Sequence, residues 1–480
     1  MQKNVLNHLI LKAKDTMFGQ KYLFNQINSY NDFKENVPLQ TYEEIYPYIK
    51  KSRNGEENIL WPGKVKWFAR SSGTTNDISK YIPVTKDSLY ECHFKAGKDM
   101  LSLYQNNFNT KNLYSGKGLM LGGTLSYSKN GTSQEGDVSA ILLTQFPFWV
   151  SYHRVPDIKT AILNDWEEKI DKIINQSINE NITNITGVPS WMLIILQKIL
   201  KKTGKKNILE VWPNLELYMH GGINFKPYQQ IFSELIPSKE MNYLEGYNAS
   251  EGFFGIQDSQ EHKGLLLMVN HGVFFEFVLY ESYLKGIKEA ISLESVEIDK
   301  KYVIVISTNG GLWRYIIGDV VKFSSINPFR IEIIGRTQAY INAFGEELMV
   351  HNTDKALLKT CQQFQNKALN YTVAPVFLSE KSGKHQWLIE FEKAPYNLEE
   401  FTHQLDKNIQ EINSDYTAKR SKNLILSKLE IISVKKGVFY NWLEKNNRLG
   451  GQYKIPKLSN DRRIIEEIIT INNKFSTTSL

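Results

Sequence analysis

Six apolar runs dominate the middle of the chain, at residues 215–220, 265–269, 274–280, 302–308, 320–324 and 330–335. They are rich in β-branched and aromatic residues and end at turn formers. Asn309-Gly310-Gly311 is the strongest turn signal between two of them. This stretch is therefore expected to be strand-rich.

Helical text precedes it. Leu6, Leu9, Ile10 and Ala13 recur at helical spacing. A polar–apolar helical stretch is expected at 162–182. Another helix is expected at 189–202, starting at Pro189 or Ser190. Short strands at 65–70 and 81–85 flank a Ser/Gly/Thr loop. From about residue 346 the text becomes a shorter α+β unit. It has helices near 354–366 and 398–414, with strands near 371–378, 386–391 and 428–434. At 480 residues the chain is long enough for two domains with separate cores. The expected division is a large domain at 1–336, a hinge at 337–345 and a small C-terminal domain at 346–480. The polar tail from 472 is expected to fray.

Several classes are disfavoured. Lys plus Arg number 58 and Asp plus Glu 51, a net +7 that suits an anionic small molecule without arguing for nucleic acid. The two cysteines, Cys92 and Cys361, form no CxxC or Cys/His cluster, so neither a disulfide framework nor a zinc site is expected. No signal peptide is read at Met1-Gln2-Lys3-Asn4-Val5, and the most apolar stretches are too short or too interrupted to span a bilayer. A cytoplasmic protein without membrane partners is the expectation.

Four segments have residue types suited to chemistry. In Arg70-Ser71-Ser72-Gly73-Thr74-Thr75-Asn76, backbone N–H groups and hydroxyls can converge on a phosphate, although the Walker A spacing is absent. The same text fits a solvated hairpin turn. Glu245-Gly246-Tyr247-Asn248-Ala249-Ser250-Glu251-Gly252 offers a carboxylate for Mg²⁺ and an aromatic face for a base, or simply a turn with exposed acids. Arg314 and Asp319 lie inside apolar strand text, so each needs a partner. Asp319 at a strand–turn junction can accept from a ribose diol, or the two can form an internal ion pair. Gly450-Gly451-Gln452-Tyr453-Lys454 can be a mobile loop whose lysine meets transition-state charge, or can end in an ordinary surface lysine.

Read in order, these segments resemble the Gretchen Hagen family of auxin-responsive acyl acid amido synthetases, in its bacterial branch, within the acyl-adenylate-forming enzymes. The likeness also rests on Phe18-Gly19-Gln20-Lys21-Tyr22, Val37-Pro38-Leu39, Leu60-Trp61-Pro62-Gly63, Gly187-Val188-Pro189-Ser190-Trp191, His220-Gly221-Gly222-Ile223-Asn224-Phe225 and Gly335-Arg336. It covers nearly the whole chain. The resemblance implies an α/β fold: a large N-terminal domain of mixed β-sheets with helices, and a small mobile α+β C-terminal domain. It implies ATP as substrate with Mg²⁺, a small carboxylic acid, and an amino acid or other amine as acceptor. Ser71, Ser72, Gly73, Thr74 and Thr75 would hold phosphate. Gly221 and Gly222 would approach the adenine, with Tyr247 against its face. Glu251 would place Mg²⁺, Asp319 would bind the ribose, Arg336 would precede the hinge, and Lys454 would be the mobile lysine.

Thr337-Gln338-Ala339-Tyr340 lacks the acidic residue common after Gly-Arg in the wider superfamily. Leu125, Trp149 and Trp191 are candidates for the acyl pocket, with core packing the competing reading for each. A coenzyme A ligase shares the adenylation step, and a silent nucleotide-binding homologue shares the fold. Nucleic-acid ligation would need a KxDG motif, which is absent.

Overall fold

The computed structural model describes residues 1–71, 80–108, 110–128, 131–222, 225–337, 340–341, 346, 348–379, 382–413, 416–417, 420, 426–449, 454–459 and 461–475. Those residues fall into two compact units, one up to Ile333 and one from Ile334 onward. Of the expected hinge, 338–339 and 342–345 lie outside the described residues.

The strands of the large unit, in chain order, are β1 (Trp67–Ser71), β2 (Lys80–Val84), β3 (Lys117–Met120), β4 (Leu125–Tyr127), β5 (Gln134–Gly136), β6 (Arg154–Val155), β7 (Ile182–Thr186), β8 (Leu217–Gly221), β9 (Asn242–Ala249), β10 (Gly252–Ile256), β11 (Leu265–Leu267), β12 (Val273–Leu279), β13 (Ala290–Ser292), β14 (Lys301–Thr308), β15 (Tyr315–Ile326) and β16 (Phe329–Arg336). Four form a small sheet in the order β2-β1-β5-β4. The other twelve form one sheet in the order β13-β12-β14-β15-β16-β11-β10-β9-β8-β7-β3-β6.

That sheet has two characters. From β6 through β3, β7 and β8 to β9 the pairing is parallel. Parallel neighbours need crossover segments, and helices Pro189–Thr203 and Lys226–Leu235 supply them between β7 and β8 and between β8 and β9. Pro189 opens the first of these, where its missing N–H costs nothing, and Gly204 closes it at φ +69°. Beyond β9 the partners β10 and β11, then β15, β14, β12 and β13, pair antiparallel.

Three expectations need correction. The helix expected at 162–182 is Trp166–Ser177, because the Asp165 side chain caps its start and Ile182 already begins β7. The strand expected at 320–324 runs from Tyr315 to Ile326, through a register shift that breaks its alternation. The tail does not fray at 472, since the last helix continues to Phe475 and the Asn472 side chain accepts from the Lys435 N–H.

The N-terminal helix Gln2–Ala13 buries Leu6, Leu9, Ile10 and Ala13 in the main core, together with Phe275, Phe277 and Ile304 of the antiparallel strands. Trp313 is fully buried between Phe18, Phe24 and Trp61, at ring-centroid distances of 6.2, 4.6 and 6.2 Å. Its indole N–H donates to the Leu60 carbonyl. Gly19 is dictated by space, since a Cβ there would sit 2.1 Å from the Ala13 carbonyl oxygen.

In the small unit, β17 (Tyr340–Ile341) pairs with β18 (Leu348–Met349), and β19 (Lys367–Ser379), β20 (Ser382–Lys393) and β21 (Glu430–Val434) form a three-stranded sheet. Side chains alternate across β20. Trp387, Ile389 and Phe391 join a core with helices Val350–Gln363 and Leu398–Ile412, while Leu388 joins one with Val438–Lys445 and Arg463–Phe475. Both faces of this sheet are therefore covered by helices. No helix among the described residues is long and apolar enough to cross a membrane.

Candidate functional site

The centre of the candidate site is the meeting of Tyr247 and Asp319. Tyr247 sits on β9 at 7% exposure and Asp319 on β15 at 4%. The Tyr247 hydroxyl donates to Asp319 Oδ2. Four strand-to-strand steps separate β9 from β15, about 19 Å in a flat sheet at ~4.8 Å per step. One tyrosine cannot bridge that distance, so the sheet curls until these strands face each other.

Local backbone aims Asp319 inward. Between Val303↔Val320 and Val305↔Ile316, the single residue Ile304 of β14 is matched by Ile317, Gly318 and Asp319 of β15, and Gly318 adopts φ +88° inside that irregularity. Such a bulge redirects the side chain that follows it. Asp319 therefore lies at a mid-strand bulge, not at the strand–turn junction expected from the sequence.

The expected alternative, an Arg314–Asp319 ion pair, is not what forms. Arg314 is 4% exposed and its guanidinium is committed to Glu276, with Nε 3.0 Å from Oε2 and Nη2 2.9 Å from Oε1. Nη1 donates to the carbonyls of Lys34 and Val37, at 3.1 and 2.6 Å. Tyr30 adds a hydroxyl to Glu276 Oε1 at 3.0 Å, and the burial and the carboxylate push its own pKa well up. Arg314 has φ +42°, a conformation a non-glycine residue rarely adopts. Gln40 holds it there, donating its N–H to the Arg314 carbonyl and accepting from Ile316. Sequence reading passed over Glu276, although a lone carboxylate inside an otherwise apolar strand was the available signal.

Other candidates gather along β8 and β9. Gly221 pairs with Gly246, next to Tyr247, and a Cβ on Gly221 would lie 2.3 Å from the Gly246 carbonyl oxygen. That contact alone demands glycine. Gly222 turns the chain out of β8 at φ +80° and is exposed. His220 is stacked on Phe225 at 4.1 Å, and burial lowers its pKa to about 3, so it is a neutral ring at neutral pH. Ile223 and Asn224 lie outside the described residues.

Glu251 occupies the two-residue connection between β9 and β10 and is half-buried. Cys92 Sγ accepts from the Phe253 N–H at 3.2 Å just beyond it, from a π-helical segment, Ser88–Phe94. No group of three or more His, Cys, Asp or Glu able to hold a metal exists among the described residues. A cation at Glu251 would draw on oxygens from beyond this carboxylate, such as those of phosphate and water, a donor set that Mg²⁺ accepts.

Ser71 closes the β1–β2 ladder opposite Lys80, and Ser72, Gly73, Thr74 and Thr75 lie outside the described residues. Arg336 ends β16 and counts with the second unit. Lys454 is exposed, and Gly450, Gly451, Gln452 and Tyr453 before it lie outside the described residues. Among the pocket candidates, Trp191 is core at 3% exposure, Leu125 is partly buried against the main core, and Trp149 is 54% exposed. Core packing therefore fails for Trp149.

Comparison with known proteins matches most of the chain to one family. The profile for the GH3 family N-terminal domain matches residues 1–241, that for the GH3 family central domain 266–336, and that for the GH3 family C-terminal domain 351–463. The chain is 23% identical to indole-3-acetic acid-amido synthetase GH3.4 of Arabidopsis thaliana over 68% of its own length and 65% of that protein's. It is 22% identical to jasmonoyl–L-amino acid synthetase JAR6 of Nicotiana attenuata, covering 95% of this chain and 90% of that one. Among solved structures, GH3.15 acyl acid amido synthetase superposes with a TM-score of 0.81 at 18% identity, covering 98% of this chain and 92% of that one. The likeness shows a shared fold.

Proposed function

The chain belongs to the GH3 (Gretchen Hagen) family, and from that premise we propose that it is an ATP-dependent acyl acid amido synthetase, an AMP-forming ligase. A carboxylate oxygen attacks the α-phosphorus of ATP, and the bond to pyrophosphate breaks. The nitrogen of an amine, in our reading an amino acid, then attacks the acyl carbon. The acyl–phosphate C–O bond breaks, AMP leaves, and the amine proton passes to solvent. Adenylation is needed because a carboxylate is a poor electrophile and AMP is a good leaving group.

For the site, the supporting observation is the Tyr247–Asp319 pairing on two facing strands, with Arg314 engaged by Glu276. In this reading Asp319 accepts from the ribose hydroxyls and Tyr247 holds that carboxylate while its ring borders the adenine beside Gly221 and Gly222. Ser71, Ser72, Gly73, Thr74 and Thr75 form the phosphate loop. Glu251 holds Mg²⁺, which when bound offsets the charge of the phosphates. Lys454 stabilises negative charge that builds at the reacting carboxylate and α-phosphate. Residues 337–345 serve as the hinge after Arg336. Use of ATP fits a cytoplasmic setting.

The test is ATP–pyrophosphate exchange with indole-3-acetic acid, jasmonic acid and a wider carboxylic acid panel, followed by mass analysis with amino acids or coenzyme A. Acid-dependent exchange with an acyl–amino acid product is expected. A coenzyme A thioester without any amide would overturn the assignment in favour of a coenzyme A ligase.

A further inference from the structure

Three residues beyond Lys454 the small unit contains a polar anchor. Lys457 Nζ lies 2.7 Å from Asp354 Oδ1 and 5.2 Å from the centre of the Tyr371 ring. The Tyr371 hydroxyl donates to the same Asp354 oxygen at 2.8 Å and lies 2.7 Å from Thr353 Oγ1. The Asp354 side chain is 5% exposed and the Lys457 side chain 28%. A carboxylate buried that deeply needs a cation and hydrogen-bond donors, and Lys457 and Tyr371 supply them. Burial and the carboxylate hold the Tyr371 hydroxyl protonated, its pKa well above the ordinary phenol value.

The backbone is fastened at the same place. Val373 donates its N–H to the Lys457 carbonyl at 2.8 Å, and Ser459 donates to the Val373 carbonyl at 3.0 Å. Leu458 pairs with Val373 in a parallel bridge and is 3% exposed in the core. Thr372 Oγ1 donates to the Pro456 carbonyl at 2.6 Å. Residues 456–459 thus run as an added strand along β19. Pro456 fixes one backbone torsion immediately before the anchor. A three-residue span extends at most about 10 Å, so the Lys454 backbone is confined to a short radius around Lys457.

We propose that Lys457, locked by Asp354 and Tyr371, is a positioning residue that sets the reach of the Lys454 amine. The proposal rests on the reading of Lys454 as the charge-stabilising lysine. An amine that must meet a transient charge at close range loses effect when its tether drifts by an ångström. The ion pair supplies side-chain registration that the backbone bridge alone leaves loose.

The experiment compares the full-length wild-type protein with Lys457→Met, Lys457→Arg, Asp354→Asn and Lys454→Ala, by ATP–pyrophosphate exchange with the panel above and by amide hydrogen exchange without substrate. In Lys457→Met and Asp354→Asn, kcat should fall about 10- to 100-fold with the KM for ATP within about twofold, and Lys457→Arg should recover most of the loss. The Ser459 amide should exchange faster in Lys457→Met while the β20 amides keep wild-type protection. Wild-type kcat in Lys457→Met, or unchanged exchange at Ser459, overturns the anchor. A KM effect without a kcat effect also overturns it. Undiminished exchange activity in Lys454→Ala sinks the underlying reading of Lys454 instead, and is scored separately.

Discussion

Arg314 and Lys454 are both cations singled out by their sequence surroundings, and the fold places them in opposite settings. Arg314 is buried in the connection between the antiparallel strands β14 and β15, with its guanidinium shared among Glu276 and two carbonyls. Lys454 is exposed, three residues before a segment fastened along β19. A charge that has met its partners holds structure together and has little left to offer a substrate. A lysine at the surface on a tether can meet charge that exists only during a reaction. The difference lies in burial, which the residue type does not reveal.

The sharpest way to break this contrast is to remove the partner of Arg314. Glu276→Gln leaves a buried cation without its counter-charge and should destabilise the large unit by about 3–5 kcal/mol, read as a shifted urea midpoint. A midpoint within error of wild type would mean that Arg314 is not the structural cation described here. Lys454→Ala should show the reverse profile: adenylation slowed by about 10²–10³-fold, with stability and ATP binding near wild type. Loss of ATP binding in that variant would collapse the distinction.

Buried histidines extend the comparison to pH. Burial holds the His93 pKa at about 4 against an ordinary 6.5, with Asn248 as hydrogen-bond partner and His271 as the nearby ring. His271 in turn faces Asp99 and Lys95. Between those pH values the unfolded chain binds a proton that the folded chain refuses. Stability should therefore fall by about 3 kcal/mol as pH drops from 6.5 to 4, and His93→Gln should flatten that arm of the pH–stability curve. A wild-type slope in the variant would remove His93 as the cause.

Smaller effects probe the nucleotide side. Asp319→Ala should raise the KM for ATP about tenfold or more, as expected for a lost charge-assisted hydrogen bond. An unmoved KM would leave Asp319 a structural carboxylate like Glu276. Tyr247→Phe removes only the hydroxyl that donates to Asp319 and should cost about 1 kcal/mol, seen as a modest rise in that KM.

The apolar runs gave the strands away because their composition suits a pleated, buried surface, and β8, β12, β14 and β16 lie within a residue or two of where they were expected. Helix Pro189–Thr203 was legible for the same reason, carrying its own proline start and glycine stop. The strand through Asp319 was cut short in the reading because Gly318 interrupts the alternation that marks a strand. Several motifs behind the family likeness proved to be scaffold. Phe18, Leu60 and Trp61 surround Trp313, Gly19 packs against the Ala13 carbonyl, and the carbonyl of Val37 receives the Arg314 guanidinium.

Sequence alone determined the order of elements, the family and the short list of charged residues that need a reason to be where they are. Local periodicity, turn chemistry and motif order are written within a few residues of one another, so they can be read in one dimension. Tertiary structure decided which charges pair. Glu276 lies 38 residues from Arg314, Tyr247 lies 72 from Asp319, and Asp354 lies 103 from Lys457. The curl of a twelve-stranded sheet and the docking of residues 456–459 on β19 bring those pairs within hydrogen-bond reach. No local pattern encodes such distances, because they follow from how the whole backbone closes on itself.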